Sequence, residues 1–373
     1  MDGTERLYAT TKLTVGQIMT VTNQISLSEL GGPQLDPTCS RFIHTSWMLD
    51  VRRPLAISSV GATVRFLDTH EASQLEDHVL QRNVFSRHSY ERDFYLQRIR
   101  EFADRSVIEV ELPGDPKTVV DQARTVAAAV EATCIASTAL YLSRRSFHTS
   151  LGITAHRKDV LDFTIGPSFR NLSASSRREA KVRGITVDKT FVARFYRAGL
   201  GQLIPEALKL SAAGRRLNQA LSWLQESRLE HSFGAAVVKV AIGYEAVLGG
   251  NETEPLRRTL SERTAFLLSD DPELREALSN VMKFFYDARS QVVHGGTRKK
   301  SKLASVEQLE AAERVLLLLL VTIASNTELL QSETAVQDWV EHQRWGIDRT
   351  IARPFRPGDL KRALSKVLPG PAK

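Results

Sequence analysis

A run of ten residues, VLLLLLVTIA from Val315 to Ala324, carries Thr322 as its only polar side chain. A helix that is apolar all round must be covered on every side. A bilayer-spanning helix needs about 20 such residues, so this run is too short for that role and reads as a buried helix. The surrounding sequence supplies the cover. From Pro205 to Leu330 strand signals are nearly absent, and apolar residues recur at steps of three and four.

That spacing predicts a helical bundle. A first helix is expected over roughly 205–228, through Leu208, Leu217, Leu221 and Leu224, and a second over 230–248, stopped by Gly249-Gly250. A third opens at Asp271-Pro272, carries Leu274, Leu278, Val281, Phe285, Ala288 and Val292 as its stripe, and stops at Gly295-Gly296. A fourth opens on the capping-box pattern Ser305-Val306-Glu307-Gln308 and runs to about Leu330. Leu256 to Leu268 reads as a shorter helix between the second and third.

Before residue 205 the pattern is mixed. β-like runs stand at 42–51, 55–67 and 106–112, flanked by Pro or Gly. Asp115-Pro116 opens a helix expected to reach about Arg145. The segments 159–166, 181–188 and 191–199 read as strands again. A chain of 373 residues exceeds the size at which one core keeps growing. The expected organisation is therefore an α+β domain over 1–204, an all-α helical bundle over 205–332 and a tail over 333–373. The α+β domain has no motif of its own and is read as a sensor or regulator whose trigger the sequence does not name.

Lys and Arg number 50 against 43 Asp and Glu, a net charge of +7 that suits a polyanionic partner without demanding one. Cys39 and Cys134 are far apart and outside any Cys-x-x-Cys pair, which fits a reducing compartment and argues against a disulfide scaffold or a zinc site. The first residues, MDGTERLYATTK, lack a secretory pattern, so a cytoplasmic protein with no membrane partner is expected.

One segment carries candidate chemistry. In YDARSQVVHG, from Tyr286 to Gly295, an Arg and a His stand with four residues between them at the end of the third helix. Such a spacing is common by chance; Arg65…His70 and Arg82…His88 offer similar ones in less patterned stretches. Context favours Arg289 and His294. A His in a last helical turn feels the negative end of the helix dipole, and Arg presents a planar donor fork to phosphate oxygens. A proton-transfer group and a fixed cation are the minimum for cutting RNA without metal, with the ribose 2′-OH as nucleophile. Five residues turn an ideal helix by about 140°, so a second copy of the chain would complete such a site.

Together with YEAVL (244–248), SERTAFLL (261–268) and the apolar helix that follows, this segment resembles the HEPN superfamily, in particular its Apea-like group. The resemblance implies an all-α HEPN-type bundle and a metal-independent endoribonuclease acting on RNA as a homodimer, of a kind used in antiviral defence, with no cofactor and no metal. It assigns Arg289 and His294 as catalytic, with Glu245 orienting Arg289, and Tyr286 and Ser290 as supporting positions. Ser290 stands where active members often carry Asn, Asp or His. Arg298, Lys299, Lys300 and Lys302 directly follow the motif and are read as cations that track the RNA backbone. The rival reading is a non-catalytic dimerisation or RNA-binding scaffold that keeps the fold. His70 and His78, with Glu71, Glu76 and Asp77, match no metal-binding spacing and read as a solvated face. Arg177, Arg178, Lys181 and Arg183 read as a basic loop.

Overall fold

The computed structural model describes residues 39–46, 48–81, 93, 96–97, 99–100, 103–151, 153–165, 172–182, 184–249, 256–294, 305–332, 334–346, 350–365 and 367. Its first part is built on a six-stranded antiparallel sheet in the order β3-β4-β5-β1-β6-β7. The strands are β1 (Cys39–Thr45), β3 (Leu55–Ile57), β4 (Ala62–Leu67), β5 (Arg105–Pro113), β6 (Ile153–Ile165) and β7 (Leu172–Val182). β2 (Leu49–Val51) pairs in parallel with β8 (Ile185–Val187) beside it.

The sheet is buried on both faces at its centre. Phe42, Val64, Ile108 and Val110 share one core with Ala123, Ala127 and Val130 of α2 (Pro116–Ser137). On the alternate face Ile43, Leu67 and Val107 are buried beside charged neighbours. There Arg41 and Arg65 both pair with Glu109, and Arg65 holds Glu71 of α1 (Thr69–Gln81) at 2.6 Å. Burial raises the Glu109 carboxyl, but the charges of Arg41 and Arg65 outweigh it and hold the group below its usual range.

Two expectations for this part are corrected. The segment 191–199 is not a strand: α4 (Lys189–Arg197) occupies it, because Asp188 caps the helix by accepting from Phe191 N at 2.8 Å. Phe191 and Phe195, four residues apart, are its buried side. The helix expected to reach Arg145 stops at Ser137, and after a 3-10 turn α3 (Arg144–Leu151) follows.

The second part is helical. α5 (Leu200–Ala207) and α6 (Ala212–Leu229) replace the single helix expected over 205–228, since Ser211 accepts from Gly214 N at 3.1 Å and starts a new helix. Then come α7 (Phe233–Leu248), α8 (Leu256–Leu268), α9 (Pro272–His294) and α10 (Val306–Ala324). Every residue of α10 from Leu309 onward is buried except Arg314, so the apolar run is the centre of the bundle. Ser305 and Gln308 form the capping box at its start. In the tail, α11 (Ala335–Arg344) and α12 (Pro357–Leu364) pack back onto this body through Trp339, Val340, Leu360 and Leu364. No helix among the described residues is long and apolar enough to cross a membrane.

The boundary expected between residues 204 and 205 falls inside α5, and buried side chains from both parts lie in one continuous core. At their junction Glu313 of α10, fully buried, accepts from Arg228 Nη1 of α6 at 2.9 Å and from Arg144 Nη1 of α3. Arg144 also donates through Nη2 to Ser227 O at 2.9 Å and Glu230 O at 2.6 Å. Its backbone N–H reaches Glu310 at 2.7 Å.

Candidate functional site

Leu274, Leu278, Met282, Phe285 and Ala288 are buried and fix the rotation of α9. Arg289, next after Ala288, leaves the helix at the edge of that buried face, with a side chain 23% exposed. α7 lies along this edge. Its Tyr244 is fully buried, with a ring centroid 6.3 Å from that of Phe285 and a hydroxyl donating to Ala312 O of α10 at 2.8 Å. With Tyr244 locked in this way, the next residue, Glu245, faces α9.

The Glu245 carboxylate gathers two partners at one oxygen. Oε1 accepts from the Tyr286 hydroxyl at 2.9 Å and lies 3.5 Å from Arg289 Nη2. The Arg289 guanidinium carbon stands 5.5 Å from the centre of the Tyr286 ring, within cation–π range. Burial first, then the hydrogen bond and charge of Glu245, push the Tyr286 phenol up to about 12, so it is a proton donor at neutral pH. Arg289 Nε is buried with no hydrogen-bond partner among the described residues. A buried unpaired guanidinium donor is an open position for an acceptor such as a phosphate oxygen or a water.

The remaining members of the motif are placed as follows. α9 is continuous to His294, its last residue, so positions 289 and 294 differ by about 140° around the axis of an ideal helix. The His294 side chain lies outside the described residues, as do Arg298, Lys299, Lys300 and Lys302. Ser290 is half-buried. Asp287, between Tyr286 and Ala288, is exposed and ties α9 to α8 through Arg257 at 2.7 Å. The chain matches no family profile, no curated protein and no solved structure.

The decoy pairs fare differently. Arg65 is buried and held by Glu109 and Glu71, which commits it to the sheet. Arg82…His88 lies outside the described residues, as do Arg183 and the side chains of His78, Arg177, Arg178 and Lys181. His70 meets Gln74 at 3.1 Å and Glu76 pairs with Arg100. Among the described residues no group of three or more His, Cys, Asp or Glu is arranged to hold a metal ion.

Sequence reading missed the Arg144–Glu313–Arg228 junction. Its signal was present: Glu310 and Glu313 stand in a helix whose other polar residues from Leu309 onward are Arg314 and Thr322, and a buried carboxylate there requires cationic partners.

Proposed function

We propose that the chain is a metal-independent endoribonuclease of the HEPN type, with Arg289 and His294 as its catalytic residues. The observation that carries this reading is the Glu245–Arg289–Tyr286 cluster. A cation near the end of the motif helix is held from the neighbouring helix by a carboxylate, and one of its donors is unclaimed among the described residues. In the proposed reaction the ribose O2′ forms a bond to phosphorus while the P–O5′ bond breaks. His294 takes the O2′ proton, a water molecule gives one to the leaving O5′, and Arg289 stabilises the charge that builds on the phosphorane oxygens. Because positions 289 and 294 diverge around the helix, a second copy of the chain would supply the complementary Arg and His across a two-fold axis.

The scaffold reading draws on the same cluster, since an ion pair with Glu245 also neutralises Arg289 as a purely structural residue. Cleavage of a mixed RNA pool in EDTA by wild type, Arg289→Ala and His294→Ala separates the two. The nuclease reading expects cyclic phosphate and 5′-hydroxyl ends from wild type alone. Equal cleavage by all three overturns it, and so does an inert wild type that is no more toxic on co-expression than His294→Ala.

A further inference from the structure

We propose that the exposed face of α4, with Arg52 and Arg53 at the adjoining strand end, is a binding surface for single-stranded nucleic acid. It lies apart from the Arg289 cluster. α4 buries Phe191 and Phe195 and exposes Lys189, Thr190, Ala193, Arg194, Tyr196 and Arg197. Lys189 and Arg197 lie eight residues apart, about 12 Å along the helix and on the same side of it. Neither forms an ion pair with a described residue. Arg194 is anchored by its guanidinium, which sits 4.8 Å from the centre of the Tyr141 ring.

The chain brings further cations to both ends of this helix. The backbone N–H groups of Arg52 and Arg53 each donate to Val187 O at 3.0 Å, one residue before the Asp188 cap. At the other end, Gly199 lies against Pro354, where an added Cβ would stand 3.1 Å from the proline Cβ, and Arg356 is exposed two residues further on. Arg52 is itself paired with a neighbouring carboxylate, so the excess charge of the surface comes from Lys189 and Arg197. Asp50 pairs with Arg52 at 3.2 Å, Asp188 accepts from Phe191 N, and Asp359 accepts from Arg356 N.

An aromatic ring stands among these charges. Tyr196 is 45% exposed, its hydroxyl donates to Ala56 O, and its ring meets Phe195 edge-on at 5.9 Å. The ring is therefore held in place at both its hydroxyl end and its side, and its free surface is available to a base. Cations that follow a phosphodiester backbone, interleaved with a fixed aromatic on which a base stacks, are the recognition chemistry of single strands. Tyr196 is the one large exposed apolar side chain of α4, which is too little for insertion into lipid.

The surface is also remote from the motif helix. Gly199 sits at Val321, nine residues along α10 from Ala312, which anchors the helix of Glu245. Nine residues rise about 13 Å. Binding here therefore stands or falls independently of any cleavage at Arg289.

The test is fluorescence anisotropy of the full chain with a labelled 20-mer as DNA, as non-cleavable 2′-O-methyl RNA and as duplex, across a salt series. DNA and 2′-O-methyl RNA are expected to bind alike and more tightly than duplex. Lys189→Ala/Arg197→Ala should weaken binding roughly tenfold and lower the salt slope by about 1.4, the loss of two single-strand phosphate contacts. Arg124→Ala/Arg258→Ala makes the same charge change elsewhere and should bind as wild type does. Tyr196→Leu should weaken binding about fivefold or more, while Tyr196→Phe, which keeps the ring, should restore it. Unchanged thermal melting certifies each variant. Equal losses in the two double variants, tighter binding of duplex, or equally effective competition by polyglutamate overturns the proposal; the last would mark a site for an acidic polypeptide.

Discussion

At the residue scale, Glu245 is the informative position, because one of its oxygens serves both Tyr286 and Arg289. Removing either partner of a hydrogen bond to a charged group costs about 1.5–3 kcal/mol. If Arg289 stabilises a phosphorane, Glu245→Gln and Tyr286→Phe should each lower the cleavage rate, by about tenfold or more for Glu245→Gln given that range. The Tyr286→Phe loss should be smaller, since the ring under Arg289 remains. Both should lower the melting temperature by a few degrees at most, because Glu245 is a quarter exposed and water can replace part of the lost contact. A purely structural cluster would reverse that pattern, with a lower melting temperature and an unaltered rate per folded molecule. The phenol provides a second readout. Its value of about 12 in the fold lies above the usual one near 10, so the folded chain holds the proton more tightly than the unfolded chain does. The resulting stability is present below pH 10 and is lost as pH rises from there towards 12. Urea titrations on the alkaline side should show a shallower decline for Tyr286→Phe than for wild type; identical slopes would mean that the Glu245 contact does not persist in solution.

At the element scale, α10 does more than fill space. Glu313 receives Arg228 from α6 and Arg144 from α3, with the carboxylate itself fully buried. Such a triad adds little over a well-packed apolar replacement, but breaking it strands buried charge. Glu313→Ala should therefore destabilise the chain by about 3–5 kcal/mol, read as a lower urea midpoint. Glu313→Leu combined with Arg144→Met and Arg228→Met should recover most of that loss. A single substitution that costs under about 1 kcal/mol would show that water reaches the site. The elements themselves were legible to different degrees. Leu256–Leu268 and the start of α10 follow directly from periodicity and capping, because apolar spacing and a Ser-x-x-Gln box are local signals. α4 was misread as a strand. FVARFYRAG alternates enough to fit period two, and only the Asp188 cap decides for a helix. That misreading also hid the surface, since Lys189 and Tyr196, seven residues apart, share a side only at a helical period. Glu245, Tyr286 and Arg289 could be named from the sequence, but their shared carboxylate oxygen depends on how α7 is rotated. Tyr244 and Ala312 set that rotation through a contact 68 residues apart, which no local pattern encodes.

At the scale of the whole molecule, the separation into an α+β part and a helical part meets a continuous core. Side chains from the sheet, α2, α5 and α10 belong to the same buried cluster, and α5 itself straddles the expected boundary. Cutting at residue 205 would divide that helix and remove Leu203 and Ile204, both fully buried. It would also remove Arg144 and leave Glu313 with Arg228 and the Ser227 hydroxyl. A chain with this arrangement should unfold as one unit despite its length, because neither part keeps its interior without the other. Urea unfolding followed by far-UV circular dichroism reports mainly the helices. In a Trp47→Phe/Cys39→Ser chain, fluorescence of Trp223, Trp339 and Trp345 reports the second part, and a cysteine probe at the fully buried Cys134 reports α2 beneath the sheet. The three curves are expected to coincide for the full chain, and a fragment beginning at residue 205 is expected to show no cooperative transition. If the Cys134 curve instead runs ahead of the tryptophans, and the fragment folds alone, the Arg144–Glu313–Arg228 junction is a docking contact between two independent domains. Any signal sensed in the first part would then reach α9 through that contact, and Arg144→Met would disconnect the parts without unfolding either.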